Sequence, residues 1–356
     1  MNSRTLQAAF LSLLSAMLVA ACSTKGPDIV DPESSARRQV SLFGIDGDST
    51  GGEVLLYSEK KGLLADSNFA SANGQPLELP VDGIYENSGQ VYLHHREDRS
   101  ITVLDLQTRK RLATITGFMG RLTGMAFSNM SQGWAVASGS MDLYELDLKN
   151  LKVAHTYRLP DSATSVGTVK QAVFVGVKGP ENSGRVAVLK SNARTITIER
   201  TLDFPSPIIY MFPTTDSSRC IMLSSGGATS NPTLYYINAT TFEKEDEYEI
   251  TSVDLTDYIG QQPNYAGYTR NDYLYLATPS TLLEYDVLGF NSQEVFIGAY
   301  SAIAVDYITQ LLYAYDPGRR AVLRLTSTGE ELPEISVPSP VNAIKFLGSN
   351  RVVLPD

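Results

Sequence analysis

An all-β chain assembled from a repeated four-stranded unit follows from three features of this sequence. A phrase of about 40 residues recurs along it. Each copy breaks into short β-prone runs cut by Gly, Asn, Asp and Ser. The last copy stops early, and strands that would complete it lie near the N-terminus.

The clearest copy, residues 122–160, reads LTGMAFSNMSQGWAVASGSMDLYELDLKNLKVAHTYRLP. It divides into a first strand at 125–127, a second carrying Trp134, a third ending in Leu146-Asp147-Leu148 and a fourth over 153–159. The preceding copy, residues 81–118, has the same turn after its first strand, the same LDL phrase and the same basic fourth strand. Weaker copies open at Ala163, Pro207, Asn264 and Ser301. The phrase returns as Tyr285-Asp286-Val287 and, loosely, as Ile237-Asn238-Ala239. Asp105 and Asp147 within it read as turn residues, since a short acid can cap the backbone between two strands. Copies start roughly 37 to 57 residues apart, mostly near 40, the spacing of propeller blades.

A final copy opens at Pro340 and ends after what reads as its second strand, while residues 53–70 read as a third and fourth. Six full copies and one shared copy predict a seven-bladed β-propeller over 39–356, closed by strands from both termini. Closure removes the exposed edges of an open array. A pair of β-sandwiches is the alternative, which the regular repeat disfavours.

Residues 1–21 read as an export signal: Arg4, an uncharged apolar run from Ala8 to Ala21, then small residues before Cys22. The run is short for a membrane-spanning helix. The LVAAC sequence resembles the bacterial lipoprotein signal, and the resemblance implies that Cys22 carries the lipid. Ser23 in place of Asp implies release to the outer membrane. Residues 22–38, polar with Pro, Ser and Gly, read as a flexible tether.

The chain is acidic, with a formal charge of −10, a poor match for nucleic acid or anionic lipid. Cys22 and Cys220 are the two cysteines, so no disulfide framework is expected. Cys220, in the run RCIML, reads as a small buried hydrophobe. Residues 44–53 space Asp46, Asp48 and Thr50 like a calcium loop, but Tyr57 stands where the closing glutamate belongs. A turn is the reading there. His94 and His95 are adjacent, so they point to opposite faces of a strand and cannot easily share one ion. Beside Arg96, Glu97 and Asp98 they read as solvated loop residues. No nucleophile elbow or phosphate loop is present in the sequence. No cofactor or metal and no catalytic residue is expected.

One departure from the repeat stands out. Residues 249–265, EITSVDLTDYIGQQPNY, lengthen the connection between the fourth and fifth copies. In a propeller this connection shares a rim with the turns between second and third strands, and long loops there often carry function. Tyr258, Gln262 and Tyr265 offer stacking surface and an amide. Phe118, Arg121 and Tyr300 belong to other connections of that rim. Together these six are the candidate ligand-binding residues, with packing between blades as the other reading of each aromatic.

Across the repeats, the unit GWAVASGSMDLYELDLKNLKVAHTYRLP followed by QAVFVGV resembles the YVTN-type seven-bladed propellers. With LVAAC and the polar tether, the chain is similar to lipid-anchored surface propellers that accompany outer-membrane uptake systems, cobalamin-capturing lipoproteins included. That resemblance implies attachment to the outer membrane through the N-terminal lipid. It also implies a partner that is an outer-membrane transporter or a small-molecule ligand. Three function classes stay open: a ligand-capturing binding protein, a lactonase-type propeller hydrolase, and an envelope assembly scaffold. Few histidines and no metal-ligand spacing argue against the hydrolase. A concave apolar pocket would mark the receptor, and a flat patch the scaffold.

Overall fold

Each repeat of the sequence becomes one four-stranded antiparallel sheet, and seven sheets form the ring. The computed structural model describes residues 40–347 apart from 47–50, 59–61, 65–68, 96–97, 193–194, 229, 252, 262, 269–271, 279, 307–309 and 327–328. Blade 1 comprises Gly83–Asn87, Gln90–His95, Ser100–Asp105 and Arg111–Ile115. Blade 2 comprises Arg121–Phe127, Gln132–Ser138, Asp142–Asp147 and Lys152–Arg158, the division expected from its turns. Blades 3 to 6 open with inner strands Ala163–Val169, Ile208–Pro213, Ala266–Tyr268 and Ala302–Val305.

The LDL phrase is a physical unit. Asp105, Asp147, Asn238 and Asp286 each accept, through Oδ1, the N–H three residues on, at 2.7, 3.0, 3.0 and 2.7 Å. The next residue is left-handed in every case: Arg109, Leu151, Phe242 and Phe290. The Asx side chain thus folds the third strand back as the fourth. The residues after it, Leu106, Leu148, Ala239 and Val287, are buried between blades. The acid makes the turn and its apolar flanks make the core.

Between blades the packing is apolar. Trp134 is fully buried against blade 3, and its indole N–H donates to Ser128 Oγ at 2.7 Å. Truncating such a residue to Ala costs about 3–5 kcal/mol. Cys220 is fully buried between blades 3 and 4, the role expected of it, and burial raises its thiol pKa. Near the axis the blades converge. A Cβ added at Gly167 would sit 2.7 Å from Met211 Cβ of the next inner strand, so glycine allows this close approach.

Blade 7 is built differently from the expectation. Its inner strand is Val341–Phe346, but its second strand is Val40–Asp46, followed by Gly52–Ser58 and Gly62–Leu64. The C-terminus therefore contributes one described strand and the N-terminus three. Residues 53–70 supply the third and fourth positions, as expected for Gly52–Ser58 and Gly62–Leu64. Beyond them Phe69–Asn73 is a short helix packed between blades 7 and 1. Asn73 fastens it, donating through Nδ2 to Arg109 O and accepting from Arg111 N–H through Oδ1, both at 2.9 Å. The predicted second strand at 351–354 lies outside the described residues.

The histidines are a second correction. His94 and His95 are buried, on the second strand of blade 1 beneath the chain at 80–82. His95 Nδ1 is 2.8 Å from Pro80 O, and its Nε2 is 2.8 Å from Thr102 Oγ1. His94 stacks on Tyr85 at 4.6 Å between ring centres. Burial, with some repulsion from His95, pushes the His94 pKa down to about 3.

Candidate functional site

The seven inner strands surround an axial channel of about 620 Å3. Its walls mix apolar and polar surface: Met125, Met211, Phe127, Phe212 and Phe346 contribute to the apolar part, with aliphatic side chains from blades 3 and 6. Three tyrosines converge on it, Tyr85, Tyr210 and Tyr268. Phe212 stacks between Tyr210, at 5.2 Å, and Tyr268, at 4.4 Å. Burial raises the Tyr210 pKa to about 12, so the phenol stays neutral and offers its hydroxyl. Thr123, Ser165 and Thr168 add hydroxyls, although these already donate to Val136 O, Ile208 O and Phe127 O in turn. Lys345 is the one charged side chain among the described lining residues.

The two ends of the channel differ. The 249–265 insertion lies across one of them. Asn264 Nδ2 donates to Asp82 O of the blade 1 approach at 2.5 Å and to Asn342 O of blade 7 at 2.7 Å. Its carbonyl accepts Ile303 N–H of blade 6 at 2.8 Å. Gly260, with φ 72°, approaches so near blade 2 that an added Cβ would lie 2.6 Å from Ser138 Oγ. Tyr265 donates to Ile209 O of blade 4 at 3.2 Å. One loop thus joins five other blades over the mouth. The opposite mouth is where the inner strands end, at Phe127, Thr168, Tyr268 and Phe346. Lys345 precedes Phe346 and belongs to this end.

The six candidates from the sequence are placed as follows. Tyr258 and Tyr265 stack on each other at 4.2 Å, and Tyr258 also donates to Ala277 O at 2.9 Å. Their hydroxyls hold the cap in place and so are spent within the fold. Phe118 is buried and meets Tyr144 edge-on at 5.0 Å. Tyr300 is buried in the cluster joining blades 4 to 6. Arg121 is exposed and pairs in register with Ser138, against which Gly260 packs, so the insertion does reach its strand. Gln262 and Cys22 lie outside the described residues. The insertion is therefore a cap over the channel, built from the residues expected to form an open binding surface. Sequence reasoning missed Lys345, Tyr85, Tyr210 and Tyr268. A lysine within the apolar inner-strand run NAIKF was the available signal.

No protein-family model matches the chain, and no curated protein matches it. Solved structures share its architecture. A functionally unknown protein from Desulfotomaculum acetoxidans DSM 771 superposes with a TM-score of 0.63 at 11% identity, covering 88% of this chain and 100% of its own. A protein provisionally assigned as a 6-phosphogluconolactonase from Bacteroides fragilis gives 0.63 at 12%, over 89% and 100%. The Cps50 (Swd1) propeller domain of Myceliophteria thermophila gives 0.56 at 10%, over 73% and 88%. At such identities the likeness is one of fold alone, a β-propeller, and fold does not fix function.

Proposed function

We propose that this chain is a lipid-anchored binding protein of the bacterial outer membrane that holds a small molecule in its propeller channel. One observation carries the reading: a concave channel of about 620 Å3 in which apolar side chains and polar groups share the wall. That is the form and size of a small-molecule site rather than of a flat docking patch. Thioethers, aromatic faces, phenols and one ammonium suit retention of a ligand. Anchoring rests on the LVAAC sequence and the polar tether. The first described strand begins at Val40, and Ser41 pairs with Phe346 at the end of the ring opposite the insertion. A holder of this kind suits a companion of an outer-membrane transporter.

The test is to purify the protein from its own envelope without denaturant and record native mass spectra. One small molecule per chain is expected. Tyr210→Ala and Tyr268→Ala should each weaken retention by about thirty-fold, the usual worth of an aromatic anchor, with melting still cooperative. A chain that carries no small molecule, and recovers the same partner proteins in both variants, would instead be a scaffold.

A further inference from the structure

Lys345 is the feature of the channel that its fold does not need. The inner strand Val341–Phe346 alternates buried residues with Asn342 and Lys345. The main-chain carbonyl of Asn342 accepts from Asn264. No hydrogen bond or ion pair to the Lys345 ammonium is found among the described residues. Burial lowers its pKa, and a longer-range attraction to Glu86 offsets this in part. Glu86 accepts Gly89 N–H at 3.2 Å. No carboxylate lines the channel among the described residues. The Lys345 side chain is half-buried, and an apolar side chain of the same length would avoid the partial desolvation of its ammonium. Aromatic rings line the same channel, among them Phe127, Phe212, Tyr268 and Phe346.

We propose that Lys345 is the anion-recognising residue of the channel, and that the ligand is an aromatic or apolar body bearing a single acidic group. This rests on the channel being the binding site. The body packs among Met125, Met211 and the Tyr210–Phe212–Tyr268 stack. The acidic group enters last and lodges at Lys345, near the end opposite the insertion, where it supplies the hydrogen-bond acceptors that the ammonium lacks among the described residues. A charge-assisted hydrogen bond is among the stronger single contacts available. A neutral molecule of the same shape would fill the channel and leave Lys345 unpaired. The site therefore selects by charge as well as by shape.

The probes are anilinonaphthalene sulfonate, an anion, and N-phenylnaphthylamine, its neutral counterpart with the same rings. Both brighten in apolar surroundings. The protein is the chain from residue 22 with Cys22→Ser, which retains every described strand and needs no detergent. The parent should bind the sulfonate at least about tenfold more tightly than the neutral amine, the usual worth of a hydrogen bond between charged groups. Lys345→Met should abolish that preference while leaving amine affinity and cooperative melting intact. Lys345→Arg should restore most of it. Equal sulfonate affinity in the parent and Lys345→Met would overturn the assignment while leaving the channel as a binding site. Failure of the parent to bind either probe would remove the channel reading and this inference with it. Loss of both probes from Lys345→Met, with melting unchanged, would give Lys345 a shaping role and also overturn anion recognition.

Discussion

Asn264 is the residue on which the cap should depend most. Its carboxamide donates to two main-chain carbonyls, Asp82 O and Asn342 O, that belong to opposite sides of the joint between blades 1 and 7. Beside that joint, within blade 7, the ring is closed without a covalent link, since the C-terminal strand Val341–Phe346 is held to the N-terminal strand Val40–Asp46 by pairing alone. Asn264→Ala removes both donors. Each bond contributes about 1 kcal/mol, and a carbonyl left without a partner adds to the loss, so a total of about 1–3 kcal/mol is expected. For a chain of this size that is a fall in Tm of roughly 2–6 °C. Asn264→Asp should be worse, because a carboxylate cannot donate and would face two carbonyl oxygens. Gln261→Ala, on the same loop, is the control, with a change below about 0.5 kcal/mol. Thermal unfolding followed by circular dichroism measures the effect. Hydrogen exchange at Val341–Phe346 should quicken selectively in Asn264→Ala. If Asn264→Ala melts with the parent, or Asn264→Asp is no worse than Ala, the loop is not a clamp in solution.

Other outcomes follow from the same construction. Cys22→Ala should leave the protein unlipidated, and radiolabelled palmitate still entering that variant would refute the anchor. Deleting residues 341–356 should expose the edge of Val40–Asp46 and the apolar faces packed on Ala343 and Ile344. Aggregation or loss of cooperative unfolding is expected, and a truncated chain that melts like the parent would refute the ring closure. His94 titrates near 3 when folded against an ordinary value of 6.5, so the unfolded chain takes up its proton first. Stability from this group is therefore complete above pH 6.5 and falls as the pH drops, by on the order of 1–2 kcal/mol between pH 6.5 and 5. His95, also lowered by burial, acts in the same direction. Denaturant titrations should show a shallower slope in His94→Asn, and an unchanged slope would assign the acid sensitivity elsewhere.

What the sequence displays and what it conceals have separate physical causes. The blades are legible because one short phrase does two jobs: Asp147 turns the chain, and Leu146 and Leu148 fill the gap between sheets. Any segment carrying that phrase at the right spacing must become a third strand and its turn. The shared blade was half legible. Its inner strand keeps the apolar rhythm, but nothing local says whether Val40–Asp46 or the residues after Phe346 pair with it, since both are short β-prone runs. The choice is made by tertiary pairing, Ser41 to Phe346 and Phe43 to Ile344. His94 and His95 misled for a similar reason. Their neighbours in sequence are charged, while their neighbours in space are Pro80, Tyr85 and Thr102.

The channel is the least legible part, because every inner strand reads as core. Whether a residue on it meets the next blade or the axis depends on the angle at which seven sheets converge, which no single repeat encodes. Lys345 breaks that silence. An inner strand that half-buries an ammonium costs it part of its hydration, and no hydrogen bond or ion pair among the described residues makes up for that. A chain that merely needed a closed ring would be served as well by methionine at this position, as it is by Met125 and Met211 on other inner strands. The rings of Phe127, Tyr268 and Phe346 beside the same mouth supply the apolar half of a site whose charged half is this one residue. Stability and binding can therefore be set against each other directly: Lys345→Met should melt no lower than the parent while losing its hold on an anion.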